Sequence, residues 1–381
     1  MGEDAVTAAN ADWQTSTVLD TPMEICWNFS YAISEEKLSS LYKKAKVGQW
    51  IPDEYLDWDT PLDPSKPIVE QTGSLLKWPF FQKMSQSQRE LFSAHSTAQT
   101  LSQFLHGEQG ALMTASTLTH AVEDYEAKLY CATQTMDEAR HVEVYKRYID
   151  KLSMVYPMSP MLKDLIDATL KAKGPAKIMV GMNMIIEGLA LAAFHNMHRQ
   201  TTCPLLKKLT QGVLSDEARH VGFGNIYLRK LVQGMHSDDV EDLAEFAFNA
   251  VEILFNSQRG GAGRGSAGGF AMVLQNANID PDDFFKAMAE AREQGIKAEL
   301  PTGHVHSFKD LMMPALVRAG VVTDRIREKY EAAGIPVWED KCVLEMMENA
   351  DEEKDLLDMS SEELLSMSEP PADSQESSPA P

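Results

Sequence analysis

Apolar positions along the chain recur with helical spacing, and no segment shows the period of two expected of a half-buried strand. A helix is expected over 34–48, where Ser34-Glu-Glu supplies a cap-like start and lysines gather toward the end. Pro52, Pro61, Pro64 and Pro67 then interrupt regularity, so 51–80 reads as a wrapping loop. Between Ser85 and Tyr156 there is no proline, and glycine occurs only at 107 and 110. That stretch is too long for one globular helix, so a turn is expected near His120–Asp124, splitting it in two. Residues 158–174 form a crossover helix. Pro175 opens a helix running to about Gln200, and Pro204 opens another running to about Met235. An amphipathic pattern covers 237–259, and shorter helices are expected at 281–295, 307–319, 322–333 and 340–350. Residues 1–33 look irregular. The expected fold class is all-α.

Composition narrows the function classes. The chain has 381 residues and a formal net charge of −22, which argues against nucleic acid or an anionic membrane surface as partner. The most apolar run, Ile178 to Phe194, is short for a membrane span and carries Glu187 in its middle. The N-terminus has neither a basic segment nor an apolar run of the signal-peptide kind. The four cysteines (Cys26, Cys131, Cys203, Cys342) are scattered with no C-x-x-C pair, so a zinc-thiolate site is not expected and the residues read as buried thiols. A soluble, cytoplasmic protein is the expectation.

The pentapeptide DEARH occurs at 137–141 and again at 216–220. The repetition extends further. Glu108 precedes Glu138 by 30 residues, as Glu187 precedes Glu217, and the two sets are offset by 79 throughout. Glu138 and His141, like Glu217 and His220, are separated by three residues and share one face of a helix. In an antiparallel hairpin with a central turn, Glu108 and Glu138 each stand about 22 Å from that turn, at one height. The same holds for Glu187 and Glu217. Two such hairpins packed together bring four carboxylates and two imidazoles to one level. Glu187 lies in an almost wholly apolar helix, where a lone carboxylate would protonate, and four clustered carboxylates repel one another. Two divalent cations resolve both problems. Carboxylate and imidazole ligands without thiolate suit iron or manganese. A single E-x-x-H is a weak signal; two copies with equally spaced partner glutamates are a specific one.

This ligand set is that of the ferritin-like di-iron carboxylate bundles. The chain resembles the ferritin-like di-iron oxygenases related to the ribonucleotide reductase small subunit, and D-E-x-R-H in both halves is especially similar to the hydroxylase subunits of bacterial multicomponent monooxygenases. The resemblance covers roughly 86–235. It implies Glu108, Glu138, His141, Glu187, Glu217 and His220 as ligands of two iron ions, or of a manganese–iron pair. It implies that Asp137 and Asp216 accept hydrogen bonds from the ligating histidines, each from the opposite helix, and that Arg140 and Arg219 neutralise those aspartates. Tyr145, four residues past His141, is similar in position to the radical tyrosine of reductase subunits; it is either a packing tyrosine or a redox and outer-sphere participant. The second half has Gly224 there. The threonine that hydroxylases carry four residues after the third-helix glutamate is replaced by Leu191, which weighs against direct transfer of the hydrocarbon-hydroxylase mechanism. The turn Gly188–Phe194 reads as helix packing or as a wall for an apolar substrate. Met113, Met136, Met182 and Met184, expected near the site, read as adaptable core filler or as a plastic cavity.

The expected organisation is an N-terminal helix with wrapping loops (1–85), a di-iron four-helix bundle core (86–258), a Gly-rich loop (259–270), a C-terminal helical region (271–350) and an acidic, disordered tail (351–381). The loop RGGAGRGSAGG lacks the Gly-Lys-Ser/Thr of a phosphate loop, leaving a flexible surface loop or a lid. The leading functional expectation is a non-haem di-iron oxygenase that uses O2 to hydroxylate, N-oxygenate or desaturate a small organic substrate. The alternatives are a tyrosyl-radical-generating reductase-like subunit and, less favoured, iron storage. No flavin or dinucleotide fingerprint is present, so a separate reductase or ferredoxin is implied as electron donor, and the acidic tail from 346 onward is a candidate docking segment. Homodimerisation is left open.

Overall fold

The computed structural model describes residues 16–33, 35–63, 66–70, 78–259, 266–296, 301 and 303–339. Among these the chain is helical, with one isolated antiparallel bridge between Val69 and Thr201. In chain order, α1 is Glu36–Val47, α2 Pro52–Tyr55, α3 Pro79–Lys83, α4 Gln86–Ala121, α5 Tyr125–Leu152 and α6 Pro160–Leu170. The rod α7 spans Pro175–Gln200, with α-helix at Pro175–Met179 and Glu187–Gln200 and a π-helical stretch, Val180–Ile186, between them. Then come α8 (Pro204–Gln233), α9 (Ser237–Arg259), α10 (Ser266–Asn276) and α11 (Pro281–Glu293). The element α12 joins a π turn, Ser307–Met312, to Met313–Arg318, and α13 is Asp324–Ala332.

Two hairpins, α4–α5 and α7–α8, make the bundle, and α1 lies across α5 and α8. Each start is set by local chemistry. Ser85 and Gln88 form a reciprocal capping box at α4, and Pro160, Pro175 and Pro204 occupy first helical positions. The turn between α4 and α5 falls at 122–124, inside the expected window. The bundle interior divides into two apolar halves. One includes Leu118, Tyr130, Ile185 and Phe223; the other includes Leu105, Tyr145, Phe194 and Leu209. A layer of buried charged side chains crosses the bundle between these halves. The apolar helix α7 is long and apolar enough to cross a membrane, but 78% of its most apolar window is buried inside the protein.

Three sequence expectations change. The proline-rich segment 51–80 is not loop throughout: Pro52 and Pro79 each nucleate a helical turn, because a proline at the first position sacrifices no hydrogen bond. The expected loop 259–270 is helical at both ends: α9 runs to Arg259 and α10 takes in Ser266–Gly269. Val273 and Leu274 bury completely against the bundle, packing that outweighs the poor helix propensity of glycine. Met113 and Met136 are 44% and 60% exposed and lie on the bundle exterior, whereas Met182 and Met184 are buried. The expected helix 340–350, the acidic tail and residues 260–265 lie outside the described residues.

Candidate metal centre

The six residues named from the repeat meet in the polar layer. Glu108 comes from α4, Glu138 and His141 from α5, Glu187 from α7, and Glu217 and His220 from α8, all buried. They form two overlapping groups. Glu108, Glu138, His141 and Glu217 converge on one point, and Glu138, Glu187 and His220 on a second. The inner glutamates face both histidines. Glu138 places Oε2 3.3 Å from His141 Nδ1 and Oε1 3.1 Å from His220 Nδ1. Glu217 places Oε1 3.3 Å from His141 Nδ1 and Oε2 3.5 Å from His220 Nδ1. Glu108 stands 3.4 Å from His141 Nδ1.

The far side of each ring is tied to the other hairpin. His141 Nε2 lies 3.1 Å from Asp216 Oδ2, and His220 Nε2 lies 3.3 Å from Asp137 Oδ2. A carboxylate only accepts, so Nε2 carries a proton, which leaves each Nδ1 as the nitrogen that would turn its lone pair to a metal ion among the carboxylates. Arg140 bridges the two aspartates, donating to Asp137 Oδ1 and, at 2.8 Å, to Asp216 Oδ2. Arg219 donates to Asp216 Oδ1 and lies 3.5 Å from Asp137 Oδ2. This buried quartet has no net charge. Burial would push both aspartates up, but the facing histidines and the arginines hold their carboxyls below the usual range.

Sequence reasoning missed four polar partners. Gln49, just past α1, donates to Asp137 Oδ1 at 2.6 Å and accepts from Arg140 at 2.7 Å. Trp50 donates Nε1–H to Asp216 Oδ2 at 2.9 Å, and its ring lies 4.8 Å from the Arg140 guanidinium. Gly48 lies beside the other arginine: a Cβ there would stand 3.0 Å from Arg219 Nη1. Gln134 donates to Glu187 Oε1 at 2.7 Å and to Glu138 Oε1 at 3.2 Å, and Asn183 donates to Glu187 Oε2 at 3.0 Å. The last two had a legible signal. Each stands four residues before a glutamate of the repeat, one helical turn away, and the equivalents in the other half are Val213 and Phe104. The centre is therefore asymmetric: amides line the Glu187 side, and Phe104 and Tyr145 the Glu108 side.

The donor chemistry fits a pair of cations. Glu108 Oε1, Glu138 Oε2, Glu217 Oε2 and His220 Nδ1 are buried without hydrogen-bond partners. Burial, with Glu217 and Glu138 adding repulsion, holds Glu187 well above the usual carboxylate range. Glu108 is also raised: burial and the same two neighbours outweigh the pull of His141. Oxygen and imidazole donors without sulfur match divalent iron or manganese.

Tyr145 is wholly buried, its ring 5.7 Å from both Phe104 and Phe194, and its hydroxyl has no hydrogen-bond partner. Burial first, and then Glu108, push its ionisation well above the ordinary tyrosine value. Leu191 is buried in the core.

Comparison with known proteins finds a matching family and structural neighbours. The family model described as p-aminobenzoate N-oxygenase AurF matches residues 32–259. Among solved structures, an R2-like ligand-binding oxidase with an aerobically reconstituted metal cofactor after photoconversion is 15% identical, covering 80% of this chain and 94% of its own, with TM-score 0.43. A point variant of an R2-like ligand-binding oxidase with an aerobically reconstituted Mn/Fe cofactor is 16% identical, covering 77% of this chain and 93% of its own, with TM-score 0.44. No protein of curated function matches the chain.

Proposed function

The chain belongs to the AurF family, and on that premise we propose that it N-oxygenates a primary amine, an arylamine such as p-aminobenzoate being the first candidate. It is an oxygen-using oxidoreductase of the ferritin-like di-iron superfamily, with a buried carboxylate–histidine centre suited to two metal ions. The observation that carries the reading is the convergence of the six repeat residues, matched by the family assignment. Glu108, Glu138, His141 and Glu217 would hold one ion, and Glu138, Glu187 and His220 the other, with Glu138 common to both groups. The bound pair, iron or manganese–iron, supplies the redox chemistry and Lewis acidity that activate O2.

The protein's own residues set the conditions. Asp216 and Asp137 keep the Nε2 protons of His141 and His220 in place, which fixes ring orientation and makes each Nδ1 a better donor. Arg140 and Arg219 let those two aspartates stay ionised in the interior. Gln134 and Asn183 hold both oxygens of Glu187. The two apolar halves of the core exclude water from the layer between them. The overall step balances as R–NH2 + O2 + 2 electrons + 2 protons giving R–NHOH + H2O. The electrons would come from a separate reductase or ferredoxin. Among the described residues Cys26, Cys131 and Cys203 are free thiols, in keeping with a cytoplasmic site of action.

The test is product analysis with iron-loaded protein, p-aminobenzoate, a reductant and isotopically labelled O2. A labelled hydroxylamino or nitro product is expected. Oxygen delivered to ring carbon, or no oxidation of any amine by protein holding two irons, would overturn the reading.

A further inference from the structure

The amide-lined side of the centre holds two acceptors with nothing to accept. Gln134 is 1% exposed and Asn183 fully buried, yet Gln134 Oε1 and Asn183 Oδ1 have no hydrogen-bond partner. With Glu187 ionised, as a metal ligand is, their orientation is fixed. Each amide nitrogen donates to Glu187, one to each oxygen, and flipping either amide would set a carbonyl oxygen against a carboxylate oxygen. Both carbonyl groups therefore lie beside Glu187 as acceptors that cannot turn into donors. A buried, unsatisfied acceptor is costly, and a donor that enters beside the pair, from a ligand or a water, removes that cost.

The backbone is arranged to keep Asn183 there. It sits on the π-helical stretch of α7, where the Glu187 N–H reaches back five residues to the Met182 carbonyl. On α8, Gly224 faces it, and a Cβ at 224 would stand 2.7 Å from both Asn183 Cβ and Met184 Cε. The other half of the repeat carries Tyr145 at that place and Phe104 in place of Asn183. Met182 and Met184 flank Asn183, and flexible thioethers can yield to an entering ring.

We propose that Gln134 and Asn183 form the seat for the substrate's amino group: their carbonyl oxygens accept its two N–H bonds and hold its nitrogen beside Glu187 and His220. The seat takes a neutral primary amine, which brings two donors. This inference rests on the amine-oxygenase reading above and adds the residues that would select for the amine.

The test is anaerobic calorimetry on iron-loaded protein with three probes: p-aminobenzoate, benzoate and p-(dimethylamino)benzoate. The wild-type protein should bind p-aminobenzoate about tenfold more tightly than benzoate, and the dimethyl compound, lacking N–H, no better than benzoate. In Asn183→Leu and Gln134→Met, the ratio of p-aminobenzoate to benzoate affinity should fall about three- to tenfold, each affinity counted per iron-loaded site. Equal weakening of all probes, or loss of iron, would make the pair a support for Glu187 only and overturn the proposal. So would a full preference for p-(dimethylamino)benzoate in wild type, which needs no variant. If wild type oxidises amines while the variants keep the preference, only the seat is refuted. If iron-loaded wild type binds and oxidises no amine, the parent reading falls and the seat with it.

Discussion

Asp216→Asn removes one negative charge from a buried quartet that balances two aspartates against two arginines. Asp216 Oδ2 accepts from Arg140 at 2.8 Å, Trp50 at 2.9 Å and His141 at 3.1 Å, while Oδ1 accepts from Arg219. An asparagine can keep its oxygen toward the first three donors only by turning its NH2 against Arg219. At least one charge-assisted hydrogen bond is lost, worth about 1.5–3 kcal/mol, and a guanidinium is left partly uncompensated. The expected destabilisation is about 3–4 kcal/mol. Asp137→Asn is the control. Its Oδ1 can keep Gln49 and Arg140, and the NH2 would face only the longer contacts at Oδ2, His220 at 3.3 Å and Arg219 at 3.5 Å. It should cost roughly half as much. Urea unfolding of the metal-free proteins measures both. Anaerobic metal titration measures the second consequence: a ten- to hundredfold weaker affinity, because the proton held on the ring no longer faces a full charge. Equal costs for the two substitutions, or unchanged metal affinity in Asp216→Asn, would refute this account of the network.

Other outcomes follow from single contacts. Gly224→Ala should cost about 1–3 kcal/mol and lower iron occupancy, read by thermal denaturation and metal analysis, because its Cβ would stand 2.7 Å from Asn183 Cβ and Met184 Cε. Tyr145→Phe should leave iron content unchanged and be neutral to about 1 kcal/mol stabilising, since the hydroxyl it removes is buried without a partner; loss of a long-lived radical in this variant would instead support the redox role. Glu108, Glu187, His141 and His220 all titrate above their ordinary values, so their protonated forms stabilise the metal-free fold. That stability is complete below their unfolded values and is lost as pH rises through the raised ones. Metal binding displaces those protons. The gain in melting temperature on adding manganese(II) should therefore be larger at pH 8 than at pH 6, and a gain that shrinks with pH would contradict the assignment.

Much of the site was written in the chain. Two DEARH copies and glutamates 30 residues upstream fix face, height and pairing through helix geometry alone, and the six side chains meet where that arithmetic puts them. The cross-hairpin pairing of Asp137 with His220 and Asp216 with His141 follows the same pseudo-symmetry. The departures from symmetry were also legible, had the residue one turn before each glutamate been compared between halves: Gln134 against Val213, Asn183 against Phe104. Gln49 and Trp50 were not. They meet residues 88 to 166 positions away, through a helix crossing that no local period encodes. The π-helical stretch in α7 and the helical start of α10 depend on packing partners elsewhere in the fold, so local propensity misreads both.

Mössbauer spectroscopy of protein loaded with iron-57 and exposed to O2 tests most directly whether these six residues hold a pair of metal ions that reacts with O2. Two irons per chain as a magnetically coupled ferric pair are expected, with the coupled signal gone in Glu217→Ala and His220→Ala. One iron per chain, isolated uncoupled ferric ions, or an unchanged spectrum in those variants would contradict it.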